Sequence, residues 1–114
     1  MKIAIIGSRN LTKVDLSKYI PKSVTEIVSG GAKGIDTLAT KYAENNKLRL
    51  TIFLPQYEKY SRAAPLKRND KIIEYSDEVI AFWDGKSKGT EYVIKKCKKL
   101  NKKITVQKIT VHLI

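Results

Sequence analysis

The sequence predicts a single α/β domain: a mainly parallel sheet of about five or six strands, sandwiched between two layers of helices. Three observations carry that expectation. Short apolar runs alternate with stripes of 3.6-residue period about five times along 114 residues. Strands alternating with helices join through right-handed crossovers, which gives a parallel sheet covered on both faces. No linker, low-complexity segment or fixed-period repeat divides the chain, whose length suits one domain with its own core.

Each element has a local reason. Lys2 to Ile6, rich in Ile and Ala and ending at Gly7, reads as a buried strand. A modest helix is expected within Thr12 to Ile20, stopped by Pro21. Thr25 to Ser29 is the second strand. Ile35, Leu38, Ala39, Tyr42 and Ala43 then recur at helical spacing and mark the clearest helix. Lys47 to Leu54 is a third strand ended by Pro55. The loop QYEKYSRAAPLKR follows and leads into a helix across Leu66 to Tyr75. Glu78 to Trp83 is the fourth strand. Val93, Ile94, Cys97 and Leu100 stripe a last helix from about Gly89. Ile104 to Val106 is the fifth strand, and the tail ITVHLI offers a sixth at an edge. The whole reads as a Rossmann-like, three-layer α/β/α domain spanning residues 1–114.

Composition narrows the partners. Lys plus Arg number 23 against 11 Asp plus Glu, a net charge of +12. That balance favours polyanions, either nucleic acid or phosphorylated small molecules. The densest basic run, KKCKKLNKK, nevertheless alternates around an inward stripe and reads as a solvated helix face. No apolar run reaches the roughly 20 residues that span a bilayer, so no membrane partner is expected. The apolar stretch after Lys2 is too short for a signal-peptide core. One cysteine, Cys97, excludes an internal disulfide framework and suits the cytoplasm. Its place on an apolar stripe makes it a core residue, and the lone His112 has no partner at metal spacing, so neither metal nor cofactor is expected.

Ligands of open α/β sheets sit beyond the carboxyl ends of the strands. Four loops fall there: GSRN (Gly7 to Asn10), SGGAKGID (Ser29 to Asp36), PQYEKYSRAA, and WDGKSKGTE (Trp83 to Glu91). Gly30 and Gly31 remove Cβ atoms that would block approach to backbone N–H groups, and Gly34 allows close packing where a helix begins. Ser87, Gly89 and Thr90 offer a second cradle at the last helix, and Arg9 adds a bidentate grip on phosphate. Neither G-x-G-x-x-G nor G-x-x-x-x-G-K-[ST] occurs. Two small cradles suit a mononucleotide-sized ligand. Asp36 has two readings, an acid complementing the helix dipole or a ribose ligand or general base. Trp83 either stacks on a base or caps the core, whereas Tyr57 and Tyr60 sit in a loop at the ligand edge as stacking candidates.

The ordered set IIGSR, SGGAKGID, KY-x-RAA, RN and AFWDGKSKGT resembles the SLOG superfamily of Rossmannoid proteins, which includes SMF/DprA and LOG-like members. It is most similar to the stand-alone YspA-like branch, from about Lys2 to Val106. The resemblance implies a domain that binds nucleotides or nucleotide-derived ligands at its glycine loops, in some members as a sensor. Carried over residue by residue, it points to Gly7, Ser8 and Arg9, to Gly30, Gly31, Ala32, Gly34 and Asp36, to Arg62, Arg68 and Asn69, and to Ser87, Gly89 and Thr90. It also implies a homodimer, since related Rossmannoid proteins often pair through helices.

Departures bear on the chemistry. The phosphoribohydrolase branch carries P-G-G-x-G-T-x-x-E, and the position of that glutamate is Val93 here. Glu91 lies two residues earlier, about 200° around a helix, and does not replace it. Pro65 follows Ala64 directly, without the branch's glycine, and Tyr57 stands where a tryptophan is frequent. The first expectation is therefore ligand binding without catalysis. A nucleotide-processing N-glycosidase, with Asp36 or Glu91 as base and Arg62 or Arg68 on the leaving phosphate, is the second. Single-stranded nucleic-acid binding, as in the DNA-processing relatives, is the third.

Overall fold

The structure, a computed structural model, describes residues 1–110. Among them the sheet has five strands: β1 (Lys2–Gly7), β2 (Glu26–Ser29), β3 (Arg49–Ile52), β4 (Glu78–Trp83) and β5 (Ile104–Lys108). Their order is β3-β2-β1-β4-β5, and every neighbouring pair is parallel. The helices are α1 (Ile35–Asn45), a single turn α2 (Tyr57–Tyr60), α3 (Ala64–Tyr75) and α4 (Lys88–Lys99). The expected Rossmann-like α/β domain is the one observed.

The two-residue period of the strands sorts side chains to opposite faces. Ile3, Ile5, Ile27, Ile80 and Phe82 form one core with Ile35, Ala39 and Ala43 of α1. Ala4, Ile6, Val28 and Val79 form the other with Ile72 and Ile73 of α3 and Val93 and Cys97 of α4. Burial on both faces is why β1 and β4 read as continuous apolar runs and not as alternating ones. Cys97 is fully buried, and that burial pushes its thiol up to about 11, as befits an inert core residue.

One expected helix is absent. Thr12 to Ile20 forms only a 3-10 turn, Leu16–Lys18. Asp15 explains the difference. Its Oδ1 accepts both the backbone N–H and the hydroxyl of Ser17, capping at mid-segment and leaving too few residues before Pro21 for an α-helix. Leu11, Leu16 and Ile20 stay buried regardless, so hydrophobic anchoring survives the loss of helix. Elsewhere the boundaries shift slightly. α3 begins at Ala64, two residues early, with Pro65 in its first turn, where a missing N–H costs nothing. β5 runs on to Lys108. Of the tail offered as a sixth strand, residues 111–114 lie outside the described residues, and His112 with them. Among the described residues no helix is long and apolar enough to cross a membrane.

β1 and β4 lie side by side, while their connections leave in opposite directions along the sheet. That is the switch point where an open parallel sheet forms its crevice.

Candidate functional site

The crevice is built at the ends of β1 and β4. Ser8, almost fully buried, donates its N–H to the Phe82 carbonyl (3.1 Å) and accepts the Asp84 N–H on Oγ (3.2 Å). One hydroxyl thereby ties the loop after β1 to the loop after β4. Asp84 then accepts the N–H groups of Lys86 (2.9 Å) and Ser87 (2.8 Å) on Oδ1, folding the chain into the start of α4. Those bonds outweigh burial and hold its carboxyl below the usual range. Trp83 donates its indole N–H to the Ser87 carbonyl (3.1 Å), so it braces this turn and is only half-buried.

The first bond across the start of α4 is Glu91 N–H to the Ser87 carbonyl. The N–H groups of Lys88, Gly89 and Thr90 precede it and stand at the positive end of a 12-residue helix. A Cβ on Gly89 would meet nothing within 4 Å, so this end is open.

SGGAKGID is organised differently from a simple cradle. A Cβ on Gly30 would stand 2.5 Å from Arg68 Nη1, so Gly30 makes room for a guanidinium. Arg68 donates from Nη1 to the Gly30 carbonyl (2.7 Å) and from Nε to Asn69 Oδ1 (2.8 Å). Gly31 and Gly34 have φ of 69° and 72°, which a side chain rarely adopts. A Cβ on Gly34 would collide with the Arg9 backbone, and one on Gly7 with the Ile35 side chain. Each glycine loop is thus lodged against the other.

Asp36, in the first turn of α1, accepts the Ala32 N–H (2.9 Å) on Oδ2 and closes the loop from within. Burial pushes its carboxyl up from the ordinary value, against the lowering effect of that bond and of Arg68 and Arg9. Of its two readings, the observed bond belongs to the structural one, although Asp36 also borders the cavity.

The cavity measures about 420 Å³ and gathers Gly7, Ser8, Arg9, Gly30, Ala32, Asp36, Arg68, Asn69, Ser87, Gly89 and Thr90 of the expected set. Gly31, Gly34 and Arg62 do not line it. Gly31 faces Ile52 and Leu54, Gly34 faces the loop after β1, and Arg62 lies exposed on the 3-10 turn after α2. Sequence reasoning missed Asn10 and Asp84 as lining residues, and Pro65 and Leu66 as its wall. The D-G following an apolar strand was the available signal for Asp84, as a turn former. Glu91 also stays outside: it pairs with Lys95 (2.9 Å), and Val93 is buried in the core. Tyr60 has Lys59 and Lys67 over its ring, and Tyr57 is exposed. Among the described residues no three His, Cys, Asp or Glu side chains gather to hold a metal ion.

The family described as DNA recombination-mediator protein A matches residues 1–56, the stretch holding β1, β2, α1, β3 and both interlocked glycine loops. That match supports assigning the chain to the DprA-like SLOG superfamily. No curated protein and no solved structure matches it. The match takes in the GSRN and SGGAKGID side of the cavity. The wall made by Arg68, Asn69 and the start of α4 lies beyond residue 56 and is joined to that DprA-like half by Ser8 and by the Arg68–Gly30 bond.

Proposed function

We propose that the cavity binds a nucleotide or nucleotide-derived ligand through its phosphate, as a sensing module of the stand-alone YspA-like kind. One observation carries this reading: Arg9, Arg68 and the open start of α4 converge on one cavity of about 420 Å³, within the roughly 300–1,000 Å³ of small-molecule sites. Guanidinium groups and free helix N–H groups are the complement of a phosphate. Binding is favoured over hydrolysis because Asp36 is engaged with the loop and Glu91 with Lys95.

Thermal-shift titration with nucleoside monophosphates, cyclic nucleotides and ADP-ribose tests it. A ligand at a hundred times its dissociation constant stabilises the native state by about 2.7 kcal/mol and raises the melting temperature by several degrees. Gly89→Glu adds a carboxylate where the fold has space, and Arg9→Ala removes an exposed grip. Both variants should melt like the parent alone and lose the ligand-induced shift. Retention of the full shift in both would defeat the proposal, and release of free base from a monophosphate would make hydrolysis the better description.

A second reading rests on the family match and the net charge of +12: single-stranded nucleic acid as the partner. Its signature is an affinity for oligonucleotides that falls steeply with salt. The homodimer implied by the resemblance is also a proposal, tested by sedimentation.

A further inference from the structure

Seven large hydrophobic side chains are exposed among the described residues, and four of them lie at the end of β3, in the segment after it and in the first turn of α3, beside one corner of the cavity. Ile52 is 42% exposed, Leu54 65%, Tyr57 56% and Leu66 39%. Single exposed hydrophobics need no explanation, but a contiguous group beside a polar crevice does. The corner joins the site by two contacts. Leu66 forms part of the cavity wall. Ile52 Cγ2 and Leu54 Cδ2 close on Gly31, at 2.9 and 3.0 Å from where its Cβ would stand, and Gly31 follows directly on Gly30, which lines the cavity. Tyr57 opens α2, three residues after Leu54.

The cavity wall itself contains no aromatic side chain, and its arginines, hydroxyls and carboxylates stand among the apolar groups of Ile6, Ala32, Pro65 and Leu66. It offers phosphate and sugar what they need, but no aromatic face on which a heteroaromatic ring could stack. We propose that the ledge of Ile52, Leu54 and Tyr57 seats the base of the ligand, with Leu66 at the turn from ledge to cavity. The site then selects a nucleotide with its base in place over a bare sugar phosphate. The inference rests on the nucleotide reading of the cavity and deepens it. A ledge open to solvent grips a ring by one face and discriminates little between bases, because every base has such a face.

Calorimetric titration with AMP, CMP and ribose 5-phosphate separates the two layers of the argument. The parent protein should bind both nucleotides about tenfold more tightly than ribose 5-phosphate. Leu54→Ser and Tyr57→Ala, at exposed positions that leave the core intact, should each remove most of that advantage and alter ribose 5-phosphate binding less than about twofold. Equal affinity for nucleotides and sugar phosphate, or nucleotide affinity untouched by both substitutions, overturns the ledge and leaves the cavity standing. Failure of all three probes to bind overturns the cavity reading, and the ledge falls with it. Sedimentation of the same samples covers the other occupant: a dimer abolished by Leu54→Ser would make the ledge a contact between copies of this chain and overturn the assignment.

Discussion

A carboxylate closed in behind two arginines would ordinarily be held ionised. Asp36 goes the other way, because burial outweighs the Ala32 N–H bond and the attraction of Arg68 and Arg9. Its folded pKa therefore lies above the unfolded value near 3.8, and the native state binds the proton more tightly. Stability linked to this group is full below that value and declines as pH rises through the folded pKa. Asp36→Asn keeps an oxygen to accept the Ala32 N–H and removes the charge. It should be more stable than the parent at pH 7, with the gap closing below about pH 3.8, as read by urea melts across pH. Ser61 offers a second test. At φ 52° and ψ −125°, between α2 and α3, it occupies backbone space that suits glycine. Ser61→Gly should stabilise the fold by about 1 kcal/mol, visible as a rise of a few degrees in melting temperature.

At the level of elements, two helix starts that look alike in sequence behave differently. Gly34, at φ 72° and ψ −121°, caps α1 with the Arg9 carbonyl pressed against it, whereas Gly89 in α4 faces open space. Gly34→Ala should cost about 1–3 kcal/mol or more. Gly89→Ala should be neutral or gain up to about 1 kcal/mol from helix propensity. Denaturant midpoints of the two variants shifting in opposite directions would verify the contrast. Glycine content alone told that the chain turns tightly in SGGAKGID, and the strand ends placed both loops on one edge. It could not tell which glycine faces a ligand, since that depends on what approaches from elsewhere: Arg68 toward Gly30, Ile52 and Leu54 toward Gly31. Glu91 was resolvable in advance by helical rotation, and its place outside the cavity agrees. The 3-10 turn at Leu16 was missed for a different reason: the segment's apolar spacing is real, but Asp15 competes locally for the backbone.

Across the molecule, the two ends of the sheet answer to pH in opposite senses. At the end away from the cavity, Glu26 is 5% exposed; burial raises its pKa, but hydrogen bonds from Tyr75 and Thr51 and the nearby Arg49 together bring it below the ordinary value. A lowered carboxyl contributes stability above its unfolded pKa and loses it as pH falls through the folded value. Glu26→Gln should therefore flatten the loss of stability below about pH 4.5, whereas Asp36→Asn acts from about pH 3.8 upward. The parallel sheet and its layering followed from the alternation of apolar runs and helical stripes, because a sheet buried on both faces leaves that imprint wherever strands are central; the order of the strands did not. The ends of β3 and β5, at the sheet's edges and largely exposed, left a weaker imprint, and their bounds moved by two residues.

The lodging of Ile35 against Gly7 and of the Arg9 backbone against Gly34 has a consequence for inheritance and for engineering. Gly7 and Gly34 cannot be enlarged one at a time, since a bulkier residue at either must find its room in the other loop. A chimera that imports the loop after β2 from a relative should fold only if the loop after β1 comes with it. Ligand preference would then drift by exchange of the pair, as a cassette, with Arg68 of α3 kept in step because its guanidinium fills the room that Gly30 leaves.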